Sequence, residues 1–128
     1  MSQESVARVR ELYEAARKGR CDELHELVAP DATWEGAAGT KWKACDNSED
    51  LIHTLVWRAA ANRFRVGEVV DLGDRVVVSL GGRRMRQLGG GFWRSRLYQL
   101  VTVRGGKIVA MQDFSERGEA LAAAGLTT

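Results

Sequence analysis

Residues 101–114, Val-Thr-Val-Arg-Gly-Gly-Lys-Ile-Val-Ala-Met-Gln-Asp-Phe, decide the fold. Apolar residues recur on both sides of Arg104-Gly105-Gly106, the pattern of two antiparallel strands joined by a tight turn. The geometry of that turn also decides where Asp113 points, because a strand slipped by one residue turns every side chain to the opposite face. A three-residue loop with Gly106 in the left-handed conformation pairs Val103 with Lys107. Asp113, Met111 and Val109 then share a face with Leu97, Gln99 and Val101. A two-residue loop instead puts Asp113 on the face of Tyr98 and near Arg96, where a surface ion pair needs no functional role. We take the three-residue register.

Upstream, a long strand from Phe92 to Val103 follows the Gly89-Gly90-Gly91 break. Before it, Phe64 and Val66 alternate with arginines, and Val76-Val77-Val78 follow Gly73-Asp74, a pair suited to a hairpin turn. Four consecutive strands read as an antiparallel meander. Nearer the amino terminus the period is helical. Val6, Val9, Leu12 or Tyr13, and Ala16 form one apolar stripe, and Gly19 caps its end. Asp22 opens a second helix that carries Leu24, Leu27 and Val28, with Pro30 as its stop, and Ala32-Thr33-Trp34-Glu35 is a short strand. A third helix starts at Asn47 or Ser48 with Asp50 in the capping arrangement, and buries Leu51, Ile52, Leu55, Val56 and Ala59. RGEALAAAG, residues 117–125, forms a last short helix. Helices first and strands afterwards indicate an α+β fold, with the amino-terminal helices packed on the concave face of a curved, mainly antiparallel sheet.

The 128 residues, 45% of them hydrophobic, suffice for one core and one domain spanning 1–128. Nineteen Lys and Arg against 17 Asp and Glu leave a net charge of +2, too small an excess to announce a nucleic-acid or membrane-surface protein. Arg83, Arg84, Arg86, Arg94, Arg96 and Arg104 crowd the strand region, either as a solvated sheet edge or as a basic face for an acidic partner. The charged amino terminus lacks an apolar signal region and no run of 18 apolar residues follows, which predicts a cytoplasmic chain that does not span a membrane. Cys21 and Cys45 show neither CxxC spacing nor a paired-histidine motif, so two buried thiols and no metal site are expected. Gly81-Gly82 and Gly89-Gly90-Gly91 lack the strand–loop–helix context and the Lys-Ser or Lys-Thr of a phosphate loop.

Two segments, VRELYEAARKGRCDELHELVAPDATWEG (9–36) and VTVRGGKIVAMQDFSERGEALAAAGL (101–126), resemble the nuclear transport factor 2-like proteins. That cone-shaped, cystatin-like family includes ketosteroid isomerase, limonene epoxide hydrolase, the SnoaL-like polyketide cyclases and many small bacterial members. The resemblance implies an apolar pocket at the open end of the cone, a small apolar or aromatic ligand, no cofactor, and a homodimer through the outer sheet faces. Residue by residue it implies less. The isomerase's base aspartate falls on Gly36, and its oxyanion-hole tyrosine and aspartic acid fall at about Leu12 and Gln99. The hydrolase's Arg-x-Asp pair falls on Leu80-Gly81-Gly82, while its second aspartate, like the acid–base aspartate of some cyclases, falls on Asp113.

Asp113 is therefore the expected general acid or base, on an apolar face that raises its pKa. His53 lies four residues before Trp57 on the third helix and is the second proton-transfer candidate, with a packed or exposed histidine as the plain alternative. Trp34, Trp57, Trp93, Leu97, Gln99 and Met111 are the candidate pocket walls. Two functions fit: a cofactor-independent isomerase, cyclase, dehydratase or hydrolase, and a non-catalytic binding module for a small apolar metabolite.

Overall fold

The computed structural model describes residues 2–36, 45–62, 64–81 and 96–125. Trp93, Arg83, Arg84, Arg86, Arg94 and the Gly89–Gly91 break lie outside the described residues. The described elements run α1 (Ser2–Arg17), α2 (Cys21–Leu27), β1 (Val28–Glu35), α3 (Ser48–Asn62), β2 (Arg65–Asp71), β3 (Arg75–Gly81), β4 (Arg96–Arg104), β5 (Lys107–Phe114) and α4 (Arg117–Ala123). The sheet order is β1-β5-β4-β3-β2: the last four strands form the expected antiparallel meander, and β1 joins its β5 edge in parallel. The fold is the α+β class that the order of periods indicates.

The core lies between one sheet face and the helices. Val9, Leu12, Tyr13 and Ala16 of α1, with Leu51, Leu55 and Ala59 of α3, are buried together with Val76, Val78 and Leu80 of β3 and Leu97 and Val101 of β4. Helix α3 starts where the capping pattern predicts, because the Asn47 side-chain oxygen accepts the Asp50 backbone N–H at 2.8 Å and satisfies one of the free donors of the first turn. The opposite sheet face carries a smaller cluster, Val77, Tyr98 and Leu100, covered by Ala120 and Leu121 of α4.

Pro30 does not stop a helix. Helix α2 already ends at Leu27, and Pro30 lies within β1. A strand interior rejects proline because the ring removes a ladder donor, but β1 is an edge strand and its register against β5 shifts between Val28 and Thr33. Edges and bulges are where the missing N–H costs least.

The decisive turn also departs from the expected register. Arg104 pairs with Lys107, so the loop has two residues, and Gly105 and Gly106 adopt φ of 59° and 76°, as a type I′ turn demands at both central positions. That register alone would send Asp113 to the Tyr98 face. A bulge reverses it: Thr102 opposes Ala110 whereas Val103 opposes Ile108, which leaves Val109 as an extra residue. Beyond the bulge Val101 opposes Met111 and Gln99 opposes Asp113, and all four are buried. The expected face is thus reached through a different turn, because the shorter loop and the inserted residue cancel. Replacing Gly105 by alanine is expected to cost about 1 kcal/mol from the left-handed backbone, read as a lower urea midpoint. No atom lies within 4 Å of a Cβ at that position, so steric clash adds nothing.

Candidate functional site

Asp113 sits on β5, 2% exposed, and faces the core beneath α1 and α3. Its neighbours arrive from four elements. Trp34 of β1 is fully buried, locked in place by reciprocal backbone hydrogen bonds with Cys45 at 2.8 and 2.9 Å, and its indole N–H donates to Asp113 Oδ1 at 2.8 Å. Gln99 of β4, directly across the ladder, donates from Nε2 to the same oxygen at 2.7 Å. The Tyr13 hydroxyl of α1 donates to Gln99 Oε1. The Arg58 guanidinium of α3 lies over the Trp34 ring, 5.4 Å from its centroid, as a cation on an aromatic face. Asp113 Oδ2 is buried and has no hydrogen-bond partner among the described residues.

Burial governs the electrostatics here. Taking the carboxylate out of water pushes the Asp113 pKa up from 3.8 to about 7, against the opposing pull of the Trp34 and Gln99 hydrogen bonds and the Arg58 charge. Burial first, and the Asp113 charge second, raise Tyr13 well above the ordinary tyrosine value, so its phenol stays protonated. Burial lowers Arg58, with the charges of Asp113 and then Cys45 pulling the other way. A carboxyl that titrates near neutrality can both take and return a proton at working pH, which is what general acid–base chemistry requires.

Trp34, Gln99, Leu97, Met111 and Asp113 are thus all buried on one side of the sheet. His53 and Trp57 are not with them: His53 is exposed and Trp57 is 66% exposed. The buried stripe of α3 runs through Leu51, Leu55, Arg58 and Ala59, and at 3.6 residues per turn positions 53 and 57 fall on the opposite side. Neither joins the buried Asp113 cluster. The paired buried thiols are also corrected, since Cys45 is buried but Cys21 is exposed. Two residues of the cluster escape a reading of the sequence alone. Tyr13 carries a hydroxyl one residue after the Leu12 position that the resemblance implies, and it reaches Gln99 of β4. Arg58 carries a usable signal: a charged residue three positions after Leu55 lies on the apolar stripe, and the structure buries it there.

Among the described residues no helix is long and apolar enough to cross a membrane, and no three His, Cys, Asp or Glu side chains are grouped to hold a metal ion.

The fold recurs in solved structures. A de novo designed protein with a curved β-sheet superposes with a TM-score of 0.70 at 18% identity, covering 99% of each chain. IdmH from Streptomyces antibioticus, a candidate polyketide cyclase, gives 0.65 at 22% identity, covering 95% of this chain and 99% of its own. A candidate ketosteroid isomerase from Kribbella flavida gives 0.64 at 18%, covering 88% and 78%. These identities establish the architecture, and the designed protein among them shows how little an architecture says about chemistry. No curated protein sequence matches the chain. The SnoaL-like domain family matches residues 9–111, most of the chain, and spans the second half of α1, α2, the first strand, α3 and the meander up to Met111. The protein belongs to the SnoaL-like domain family.

Proposed function

We propose that the protein is a cofactor-independent enzyme that moves a proton next to a carbonyl in a small apolar molecule, with Asp113 as the general acid–base residue. One observation carries this reading: a buried carboxyl with Oδ1 held by two donors and Oδ2 without a partner among the described residues. Such a group is oriented by one oxygen and reactive at the other. Oδ2 takes a proton from the carbon beside the carbonyl and returns it to a second position, which covers isomerisation and ring closure alike. This reading assigns Leu97 and Met111, buried on the same side of the sheet as Asp113, as apolar walls, with the Trp34 ring as further contact area. IdmH is a candidate polyketide cyclase and the Kribbella protein a candidate ketosteroid isomerase, and this reading takes those two activities as its precedents.

Exchange of α-hydrogens in D2O, followed by NMR over a panel of cyclic ketones and β-diketones, tests the proposal without a known substrate. The wild type is expected to accelerate exchange of at least one member, with kcat/KM rising through an apparent pKa near 7 as the base form appears. Asp113→Asn is expected to lower that rate about 10²- to 10⁴-fold. Full exchange activity in the variant would end the proposal.

A binding module is favoured by a separate observation, that the Tyr13 hydroxyl is committed to Gln99 and not turned toward a ligand. On that reading panel members bind, none exchanges, and Asp113→Asn leaves affinity unchanged. The same reading includes a homodimer through the outer sheet faces, which rests on the resemblance alone.

A further inference from the structure

We propose that Tyr13 is a positioning residue that acts through Gln99 to direct the exchangeable proton of Asp113 to Oδ2. The inference rests on the proton-transfer reading of Asp113 and adds the device that chooses which carboxyl oxygen reacts.

A side-chain amide is two-faced: its oxygen only accepts and its nitrogen only donates. Gln99 lies between a phenol and a carboxyl, and two orientations of its amide are each self-consistent. In the observed one, the Tyr13 hydroxyl donates to Oε1 and Nε2 donates to Asp113 Oδ1 at 2.7 Å. In the reversed one, Nε2 would donate to the Tyr13 oxygen and Oε1 would face Oδ1, an arrangement that holds only when Oδ1 itself carries the proton. The hydroxyl proton of Tyr13 selects the first, because it needs an acceptor and Oε1 is the acceptor it has. Burial keeps that phenol protonated, so the selection persists across the working pH range.

Trp34 acts on the carboxyl from the other side. An indole N–H can only donate, and it donates to the same Oδ1 at 2.8 Å. With two donors converging on Oδ1, a proton added to the carboxyl goes to Oδ2, which has no partner among the described residues. The acid form then offers an O–H, and the base form a lone pair, at one and the same atom. The groups that bear on Asp113 are Tyr13 from α1, Trp34 from β1, Arg58 from α3 and Gln99 from β4, and Arg58 is the one cation among these four. Tyr13 bonds Gln99 and not the carboxyl, so any effect of its hydroxyl has to pass through the amide.

The test follows the Asp113 carboxyl carbon by NMR through a pH titration of the wild type, Tyr13→Phe, Gln99→Met and the double variant. Loss of the hydroxyl frees the amide to adopt the orientation that requires a protonated Oδ1. Tyr13→Phe is therefore expected to raise the midpoint by roughly half to one pH unit, the size of one net hydrogen bond. Gln99→Met removes a donor outright and is expected to raise it at least as far, with the double variant no higher than Gln99→Met alone. An unchanged midpoint in Tyr13→Phe, or a shift that adds in full to that of Gln99→Met, overturns the proposal. Should a variant fail to fold, the wild type by itself still tests the coupling. Its Gln99 side-chain amide resonances must move with the Asp113 midpoint, and resonances indifferent to that titration overturn the assignment. A wild-type midpoint near the ordinary aspartate value would instead sink the proton-transfer reading, while the Tyr13→Phe shift would still report on positioning.

Discussion

The protein is expected to lose about 4 kcal/mol of folding stability to Asp113 alone as pH rises from 4 to 8, and Asp113→Asn should abolish most of that slope. The sign follows from the direction of the shift. Asp113 titrates at 3.8 in an unfolded chain and at about 7 in the fold. Between those values the folded state holds a proton that the unfolded state has released, so stability falls as pH rises. The contribution is fully present below about pH 4 and lost above pH 7, and each pH unit between is worth about 1.4 kcal/mol. Glu14 and Glu68 are shifted downward by Lys18 and Arg117 and act with the opposite sign at lower pH, but both are exposed and screened by solvent. Asparagine keeps an acceptor for Trp34 and Gln99 and carries no charge. The variant should accordingly be more stable than the wild type at pH 8 and lose the advantage at pH 4. Urea denaturation of both proteins at several pH values reads this directly. Parallel curves would show that the buried carboxylate is not held at a cost. A carboxylate retained against several kcal/mol of stability is the signature expected of a functional group rather than a packing element.

Trp34→Ala should cost about 3–5 kcal/mol, enough to lower Tm by ten degrees or more in a chain of this size. The indole is fully buried, it anchors the segment at Cys45 through the paired backbone hydrogen bonds of its own residue, and its ring lies beneath Arg58. Trp34→Phe separates its roles. Phenylalanine keeps most of the apolar area and a face for the guanidinium, but it has no N–H to donate to Oδ1. The milder variant should therefore lose about 1–2 kcal/mol, and the Asp113 midpoint should rise further above 7, since a hydrogen bond to the charged form is gone. Calorimetry for the first quantity and carboxyl NMR for the second check the pair. A Trp34→Phe midpoint equal to the wild type would remove Trp34 from the electrostatics of the site and leave it as packing.

The stretches legible in the sequence are those where one local rule suffices. The apolar stripes of α1 and α3, the Asn47 cap, and the switch from period 3.6 to period 2 near Phe64 each depend on neighbours a few residues away. Pro30 misleads because the rule for a helix stop and the rule for an edge strand give the same residue different meanings, and which applies depends on what lies beside it. His53 and Trp57 attract attention by their chemistry, although the phase of the α3 stripe already turns them away from Leu51 and Leu55. Arg58 escapes notice for the converse reason, since an arginine suggests a solvent-exposed position where its phase places it inside.

In the hairpin at residues 101–114, the glycine pair, the alternation and the candidacy of Asp113 are all determined by sequence, since turn chemistry and strand period are local. The direction of Asp113 is not, because it depends on the parity of the residues between the turn and the carboxyl, and the bulge at Val109 changes that parity. With the bulge in place, Met111 and Asp113 fall on the sheet face buried under α1 and α3. The same holds for the proton equilibrium. An aspartate in a sequence has an ordinary pKa, and only burial in the packed core brings this one near neutrality, against the opposing pull of Trp34, Gln99 and Arg58 from distant segments. Desolvation belongs to the packed interior as a whole, which no local pattern contains.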